Sequence, residues 1–466
     1  MWQKEGMTKE TKQEQKRLVE NIETFLQEVM EAAEAVEEPR RARHPGRKRI
    51  LPAVVLWSGV VVAVLRGLES QRAIWRLVGL EGLWEYPTYE VSDQAVYNRL
   101  AAGGSGGLKR VFKQVRDGLR ERLLPYAQEK IAPFATGVYA IDGSTLDKVT
   151  RHLPKLRRIP NGDSRLLPGK LVGLFNIRLQ QWEEVTHLAN PNQNDKTVAR
   201  ELAQTLPEGS LILADMGFFS FAWFDWLTDH HYWWLSRVRE KTTFEVIHTF
   251  YKDGADLFDG IIWLGKYRAD KAAHAVRLVT FRVGETHFRY ITNVLEPQRL
   301  SLHDIAVLYA RRWDIELAFK MVKRHLKLHL LWSAKETIIL QQVWAVLILS
   351  QILHALQMEI AGLAQVDPFD VSLDLITQYV PRLTQQGHDP VALLVAKGEK
   401  FGFIRPSRRI RPQTPAAPLT EYTLLPSGTV LRRKPRYAQR RCQPKAAAET
   451  HNKASPPQGI LWFPYR

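Results

Sequence analysis

The order of apolar and amphipathic segments between residues 137 and 238 constrains the fold more than any other feature of this chain. Strand-like patterns lie at 137–142, 170–180, 183–189, 210–215 and 231–238. Helical patterns separate the last three strands, one with Asp195 as its predicted N-cap and one at 220–228. Three sequential strands followed by alternating helices and strands predict a mixed sheet covered by helices.

Two of these strands end on an acid that is followed closely by glycine. Asp142 follows the apolar run 138–141, and Asp215 follows the run 211–214. Each run is the pattern of a buried strand that delivers a carboxylate at its C-terminal end. A strand-end acid often only caps the next helix, and that alternative stays open for each acid alone.

A third acid lies on a predicted helix after residue 301. At about 100° per residue, Tyr309, Arg312, Glu316, Lys320 and Lys323 fall within an arc of roughly 80°. An apolar stripe lies immediately beside them and consists of Leu308, Ile315, Phe319, Val322 and Leu326. A carboxylate flanked by cations suits a site that binds a metal ion and a polyanion together. The alternative is a solvated charged face with pairs such as Glu316 and Lys320.

Together these features resemble a bacterial DDE transposase with a ribonuclease-H-like core. The chain is similar to the subgroup named for insertion sequence four, which carries a Y-x2-R-x3-E-x6-K signature, here Tyr309, Arg312, Glu316 and Lys323. Asp142 matches the first acid of the family and Asp215 the second. The resemblance covers about residues 131 to 365. It implies metal-dependent DNA strand cleavage and strand transfer at the ends of an insertion sequence.

The expected chemistry depends on three carboxylates gathered at one point, which stay ionised only if cations join them. Mg²⁺ suits such oxygen ligands, and we expect two ions, with Mn²⁺ as a substitute, in an in-line displacement at phosphorus. Asp142, Asp215 and Glu316 are the expected metal ligands, and the resemblance implies that Asp142 bridges both ions. Tyr309, Arg312, Lys320 and Lys323 are the expected contacts to DNA phosphates. Asp314 faces about 160° away from Glu316 on an ideal helix and is not expected to be a ligand.

We therefore predict an α/β protein with a ribonuclease-H-like mixed sheet, an all-β insertion and a preceding α-helical domain. The predicted divisions are an α-helical DNA-binding domain (1–130), the catalytic core (131–238 and 289–365), a β-strand insertion (239–288) and a C-terminal region with a Pro-rich basic tail (366–466). The segments 70–78 and 92–101 form either a helix-turn-helix or core helices of a bundle. Trp263, in the insertion, either stacks on a flipped base or is a packed tryptophan.

The charge of the chain indicates a nucleic-acid partner, but its distribution limits that argument. The formal charge is +17, and residues 401–466 hold 13 Lys or Arg and 2 Asp or Glu, or +11. The first 400 residues therefore carry only +6. This composition predicts a partly disordered tail that attracts DNA.

The expected partner is double-stranded DNA, both element ends and target, with a homodimer in the synaptic complex by the same resemblance. The single cysteine, Cys442, fits a reducing cytoplasm. No secretory signal is apparent, and the apolar segment 50–65, with Pro52 and Gly59 inside, favours a buried helix over a membrane span. Two other functions remain: a structure-specific nuclease or resolvase on the same fold, and a non-catalytic DNA-binding derivative. The presence of all three acids and the basic signature favours the transposase.

Overall fold

A nine-stranded sheet forms the centre of the computed structural model. The structure describes residues 22–35, 50–84, 86–147, 167–266, 271–407, 409, 412–426, 429 and 431–433. The strands are β1 (Val138–Thr145), β2 (Lys170–Asn176), β3 (Gln181–Leu188), β4 (Leu211–Ala214), β5 (Trp233–Arg237), β6 (Phe244–Asp253), β7 (Leu257–Leu264), β8 (Val276–Val283) and β9 (Thr286–Thr292). Their order across the sheet is β3-β2-β1-β4-β5-β9-β8-β7-β6.

The first five strands form the mixed sheet that the sequence predicts. β1 is antiparallel to β2 and β2 to β3, whereas β4 is parallel to both β1 and β5. One predicted boundary is wrong, because the strand expected over 170–180 ends at Asn176. The Asn176 side chain accepts hydrogen bonds from the backbone N–H groups of Arg178 and Leu179, and Gln180 adopts φ +53°. A tight turn over 177–180 is the result.

The remaining four strands form an antiparallel meander that continues the same sheet. β9 pairs with β5, with Thr292 opposite Leu235, and β8, β7 and β6 follow outward. Trp263 lies in β7, and the Arg433 guanidinium lies 4.7 Å from the centre of its ring. This contact favours the packed alternative for Trp263.

Helices pack against strands β1, β2, β3 and β5 of the sheet. They are α1 (Ile22–Ala35), α2 (Ala53–Leu65), α3 (Gln71–Arg76), α4 (Asp93–Gly103), α5 (Gly106–Leu123), α6 (Lys196–Ala203), α7 (Phe221–Asp229), α8 (Leu302–Arg311), α9 (Asp314–Lys320), α10 (Glu336–Ala364), α11 (Leu373–Gln385) and α12 (Pro390–Lys397). The segments considered for a helix-turn-helix contain α3 and α4. Arg99 of α4 donates a hydrogen bond to the Leu51 carbonyl, which ties that helix to the start of α2.

Helix α10 is the central element of the helical region. Its length and composition would allow it to cross a membrane, but 94% of its most apolar window is buried inside the protein. Helices α2 and α5 from the N-terminal part pack along it, and all three share one hydrophobic core. α2 contains most of the apolar segment 50–65 and is buried almost throughout, as expected for a core helix.

The helix predicted to carry the five-residue stripe is interrupted, so the prediction of one continuous helix is wrong. Arg312 and Trp313 donate to the carbonyls three residues before them, at 3.1 and 3.3 Å, and these bonds separate α8 from α9. A π-helical turn, Met321–His325, follows α9. The apolar stripe is buried as expected, because packing against the sheet and α10 compensates for the irregular backbone.

Residues 409–433, here called the C-terminal segment, lie along the fold and are not a solvated tail where the structure describes them. The Tyr422 hydroxyl donates to Asp259 at 3.1 Å, and the Ala275 N–H donates to the Leu431 carbonyl. Asp259 is fully buried and forms an ion pair with Arg277 at 2.6 Å. The part of the predicted tail beyond residue 433 lies outside the described residues.

Candidate active site

Asp142 lies in the second half of β1, directly before Gly143. The Gly143 N–H donates to Asp142 Oδ1 at 2.8 Å. A Cβ atom on residue 143 would lie 2.5 Å from Asp195 Oδ2, so no larger residue fits there without movement. The Asp195 carboxylate pairs with Lys170 and makes no side-chain cap to α6. Asp195 therefore occupies the predicted N-cap position of α6, but its side chain makes no capping hydrogen bond there.

Asp215 lies next to Asp142 because their strands are parallel neighbours. Ile141 is opposite Ala214, so the two acids occupy the next positions of adjacent strands. Asp215 also accepts a hydrogen bond of 2.7 Å from the Gly217 N–H and thereby caps the short turn that follows β4. The Asp215 side chain thus caps this turn and also lies on the strand next to that of Asp142.

Arg312 connects the helical acid to the sheet. One terminal nitrogen lies 2.5 Å from Glu316 Oε1, and the other lies 3.5 Å from Asp142 Oδ2. The Arg312 side chain is only 10% exposed. A single buried guanidinium therefore links the acid of β1 to the acid of α9.

The pKa of Asp142 is raised mainly by burial and to a smaller extent by the neighbouring acids. Burial raises it from 3.8 to about 6, and the negative charges of Asp215 and Glu316 act in the same direction. The Gly143 N–H and the Arg312 charge lower it by less. The negative charges of Asp215 and Glu316 thus act on Asp142, and the positive charge of Arg312 offsets only part of the rise in its pKa.

Tyr309 is packed at the edge of this group. Its ring centre lies 5.0 Å from that of Tyr290 in β9. Burial raises the pKa of Tyr309 to about 12, while the charges of Arg312 and Arg237 lower it by less. The phenol is therefore neutral at physiological pH and retains a proton to donate.

The two predicted lysines occupy different environments. Lys323 in the π-helical turn donates to the Thr145 carbonyl at the end of β1, and its ammonium lies 3.8 Å from Asp147. Burial lowers the pKa of Lys323 despite the nearby Asp147 charge. Lys320 is exposed and ends α9. Lys323 thus reaches the same strand as Asp142.

Sequence reasoning did not select two residues that the structure places beside the predicted site. Arg237 ends β5 and contributes to the field at Tyr309, and the only sequence signal was a basic residue at a strand end. It lines a surface cavity of about 890 Å³ next to Asp215, together with Met216, Arg239, Lys241, His287 and Arg289.

Asp314 is the second residue that sequence reasoning did not select, and its side chain is fully buried between Arg311 and Arg409.

The donor set suits a hard divalent cation, although the ligands are not assembled around one point. Among the described residues, no three His, Cys, Asp or Glu side chains already form a metal-binding group. Asp142 and Glu316 are held by Arg312, and Asp215 is held by Gly217. The three carboxylates are oxygen donors of the kind that Mg²⁺ and Mn²⁺ bind.

Comparison with known proteins gives a family match over part of the chain. Residues 136–352 match the sequence model of the family described as Transposase DDE domain. Over this range the chain is similar to DDE transposases. The match begins just before β1 and ends within α10, so it contains all seven predicted site residues.

One curated relative and one solved structure are similar to this chain. The chain is 22% identical over 310 residues to the putative transposase for insertion sequence element IS4SA of Synechocystis sp. (strain ATCC 27184 / PCC 6803 / Kazusa), across 65% of this chain and 80% of the relative. A cryo-EM structure of the piggyBac transposase synaptic complex with hairpin DNA aligns with a TM-score of 0.38 and 9% identity over 76% of both chains. DDE transposases as a family act on DNA and generally use divalent metal ions.

Proposed function

We propose that the protein is a transposase that cleaves DNA strands at the ends of its insertion sequence and joins them to target DNA, with Asp142, Asp215 and Glu316 as its metal ligands. The observation that carries this proposal is the double contact of Arg312 with Asp142 and Glu316. It brings acids from two distant parts of the sequence together, and the parallel pairing of β1 and β4 adds Asp215.

Two Mg²⁺ ions, with Mn²⁺ as a substitute, are the proposed cofactors. When bound, they supply an activated water or 3′-hydroxyl and stabilise the leaving oxygen of an in-line displacement. Asp142, at the centre of the three acids, is the proposed shared ligand, and Asp215 and Glu316 each complete one ion's ligand set. The raised pKa of Asp142 supports this role, because a crowded carboxylate is stabilised when a cation approaches.

Arg312, Tyr309, Lys320 and Lys323 are proposed to bind DNA phosphates beside these acids. Arg312 Nε is buried and finds no hydrogen-bond acceptor among the described residues. A buried N–H group without an acceptor is costly, and a phosphate oxygen would satisfy it. The cationic cavity that Arg237 lines continues the same surface past Asp215. It offers further positive charge to the DNA backbone.

The order and directions of β1 to β5 support a ribonuclease-H-like core, with the meander as an insertion between the second and third acids. The helical region before residue 130 and the basic residues after 433 are proposed to add DNA contacts. A homodimer in the synaptic complex and a cytoplasmic location complete the proposal.

The test is cleavage of DNA that carries the element's own ends. Asp142→Asn, Asp215→Asn and Glu316→Gln each remove one ligand charge and keep the side-chain shape. We expect each to abolish cleavage while binding to end DNA persists, and Asp256→Asn, an exposed acid far from the site, serves as the control. A variant that retains more than a few per cent of cleavage removes its residue from the proposed site. Cutting without joining would favour a nuclease.

A further inference from the structure

Asp314 lies two residues before Glu316 and is the most completely buried acid near the site. Its side chain is 0% exposed and lies in the first turn of α9. Arg311 Nε donates to Oδ2 at 2.7 Å, and Arg409 donates to Oδ1 at 2.7 Å. Gln180 Nε2 also donates to Oδ2, at 3.0 Å. A buried carboxylate needs such partners, and here they come from three separate parts of the chain.

Each partner of Asp314 is itself fixed to the core. Gln180 and Arg311 also donate to the Ile177 carbonyl in the turn after β2, at 2.9 and 3.4 Å. The Ile177 N–H donates to the Val138 carbonyl at the start of β1. Asp314 therefore connects the helix that carries Glu316 to the strand that carries Asp142.

Arg409, in the C-terminal segment, contacts both α8 and α9. Besides Asp314 it donates to the Ala310 carbonyl in α8 at 3.0 Å, and its guanidinium lies 4.2 Å from the Phe369 ring centre. Arg409 thus bridges the end of α8 and the start of α9, on both sides of the interruption at Arg312 and Trp313. This interruption leaves the start of α9 without a continuous helix to hold it.

We infer that Asp314 and Arg409 are positioning residues that hold α9 at the distance from β1 at which Glu316 and Asp142 share a metal site. The inference rests on the proposed function and extends it to the C-terminal segment, which lies outside the residues that match the DDE domain. Neither residue touches DNA or metal in this role. Their contribution is to keep a helix with an interrupted backbone in one place before the cations bind.

The experiment compares Arg409→Gln with Arg433→Gln in the full-length protein. Arg433 lies in the same segment, and its side chain donates to the carbonyls of Leu264 and Ala272 and lies over the Trp263 ring, away from Asp314 and α9. Mn²⁺ binding is measured by electron paramagnetic resonance with end DNA present, alongside melting temperature and the Mn²⁺ midpoint of cleavage. Wild type and Asp142→Asn give the reference values for an intact and a broken site.

We expect Arg409→Gln to weaken Mn²⁺ binding about tenfold, as removal of outer support for metal ligands does. Arg433→Gln should bind Mn²⁺ like wild type, and Arg409→Lys should recover part of the loss because it keeps the charge. Should Arg409→Gln fail to fold, Arg409→Lys and Asp314→Asn are compared with Arg433→Gln in the same way. Wild-type Mn²⁺ affinity in the folded Arg409 variants, or equal losses in Arg409→Gln and Arg433→Gln, would overturn the inference.

Wild type and Asp142→Asn distinguish a failure of the positioning role from a failure of the proposed metal site. If wild type and Asp142→Asn bind Mn²⁺ alike, the metal site itself is wrong and the inference falls with it. If their Mn²⁺ affinities differ and Arg409→Gln binds Mn²⁺ like wild type, only the positioning role is wrong.

Discussion

Arg312 donates a hydrogen bond to Glu316 across one helical turn, with an N–O distance of 2.5 Å. Its second terminal nitrogen lies 3.5 Å from Asp142 Oδ2, so the same cation compensates for the acid on the sheet. A guanidinium in this position holds two metal ligands near each other before any cation arrives. Binding of metal and DNA would then require Arg312 to exchange carboxylate partners for phosphate.

The crowding of Asp142 predicts a pH-dependent cost to stability. Its pKa, about 6 in the folded chain, is above its ordinary value of 3.8, mainly because of burial. A carboxyl with a raised folded pKa stabilises the fold below its unfolded value and loses that contribution as pH rises through the folded value. The metal-free protein should lose up to about 3 kcal/mol of stability from this group between about pH 4 and pH 6.

Asp142→Asn should therefore melt at a higher temperature than wild type at about pH 7.5 in chelator, and the difference should vanish near pH 4. Thermal melting followed by circular dichroism measures this. Added Mn²⁺ should raise the melting temperature of wild type more than that of the variant. A variant that is less stable than wild type at about pH 7.5 would show that the Arg312 contact outweighs the burial of the charge.

Metal dependence should distinguish Mg²⁺ and Mn²⁺ from Ca²⁺. We expect Mg²⁺ and Mn²⁺ to support cleavage, and Ca²⁺ to support assembly with end DNA without chemistry, because Ca²⁺ takes looser and longer coordination. Gel-shift and cleavage assays on the same DNA ends separate the two steps. Full cleavage in excess chelator would exclude the metal mechanism.

The lysines after Glu316 should contribute unequally to the productive complex. Lys323→Ala removes a half-buried ammonium beside β1, and we expect it to weaken the complex by about 1–3 kcal/mol if the lost contact is a charged hydrogen bond to phosphate. Lys320→Ala should act in the same direction, and by less because Lys320 is exposed. The assay is the cleavage rate on pre-nicked ends at saturating Mg²⁺.

Arg324→Ala is the matched control, since Arg324 is adjacent, equally charged and exposed. Lys327→Ala should also have a small effect on cleavage, because the Lys327 ammonium pairs with Glu69 at 2.7 Å. If Arg324→Ala slows cleavage as much as Lys323→Ala, the face of the helix that we assign to DNA is wrong.

Removal of residues 434–466 should reduce general DNA affinity without loss of the fold. These residues contain seven Lys or Arg and one Glu, or +6, and they follow Arg433, the last residue that the structure describes. By counterion release, affinity for non-specific DNA should fall and its dependence on salt should become shallower. An unchanged salt slope in a binding titration would show that these residues do not contact DNA.

A longer deletion, 401–466, should behave differently, because it also removes packed side chains of the C-terminal segment. The loss of the Tyr422 contact leaves the buried pair of Asp259 and Arg277 partly uncovered, so the melting temperature should fall. Equal melting temperatures of the two truncated proteins would mean that the segment contributes nothing to stability.

The sequence alone was sufficient for the elements whose signal is local. Short apolar runs ending on Asp142 and Asp215 predicted the strands, since a buried strand needs continuous apolar side chains and glycine leaves space beside the acid. The spacing of Tyr309, Arg312, Glu316 and Lys323 predicted the family, and the match to the DDE domain agrees with it.

Only the tertiary structure determined how these elements meet, because the deciding contacts join residues far apart in the chain. Helical periodicity did not reveal the interruption after Arg311, which depends on hydrogen bonds three residues apart and on Asp314 with its distant partners Gln180 and Arg409. Composition likewise predicted a solvated tail from residue 401, whereas Tyr422 and Arg433 are packed on the sheet. Burial of a charged or polar group depends on partners brought by the whole fold, and no local pattern encodes them.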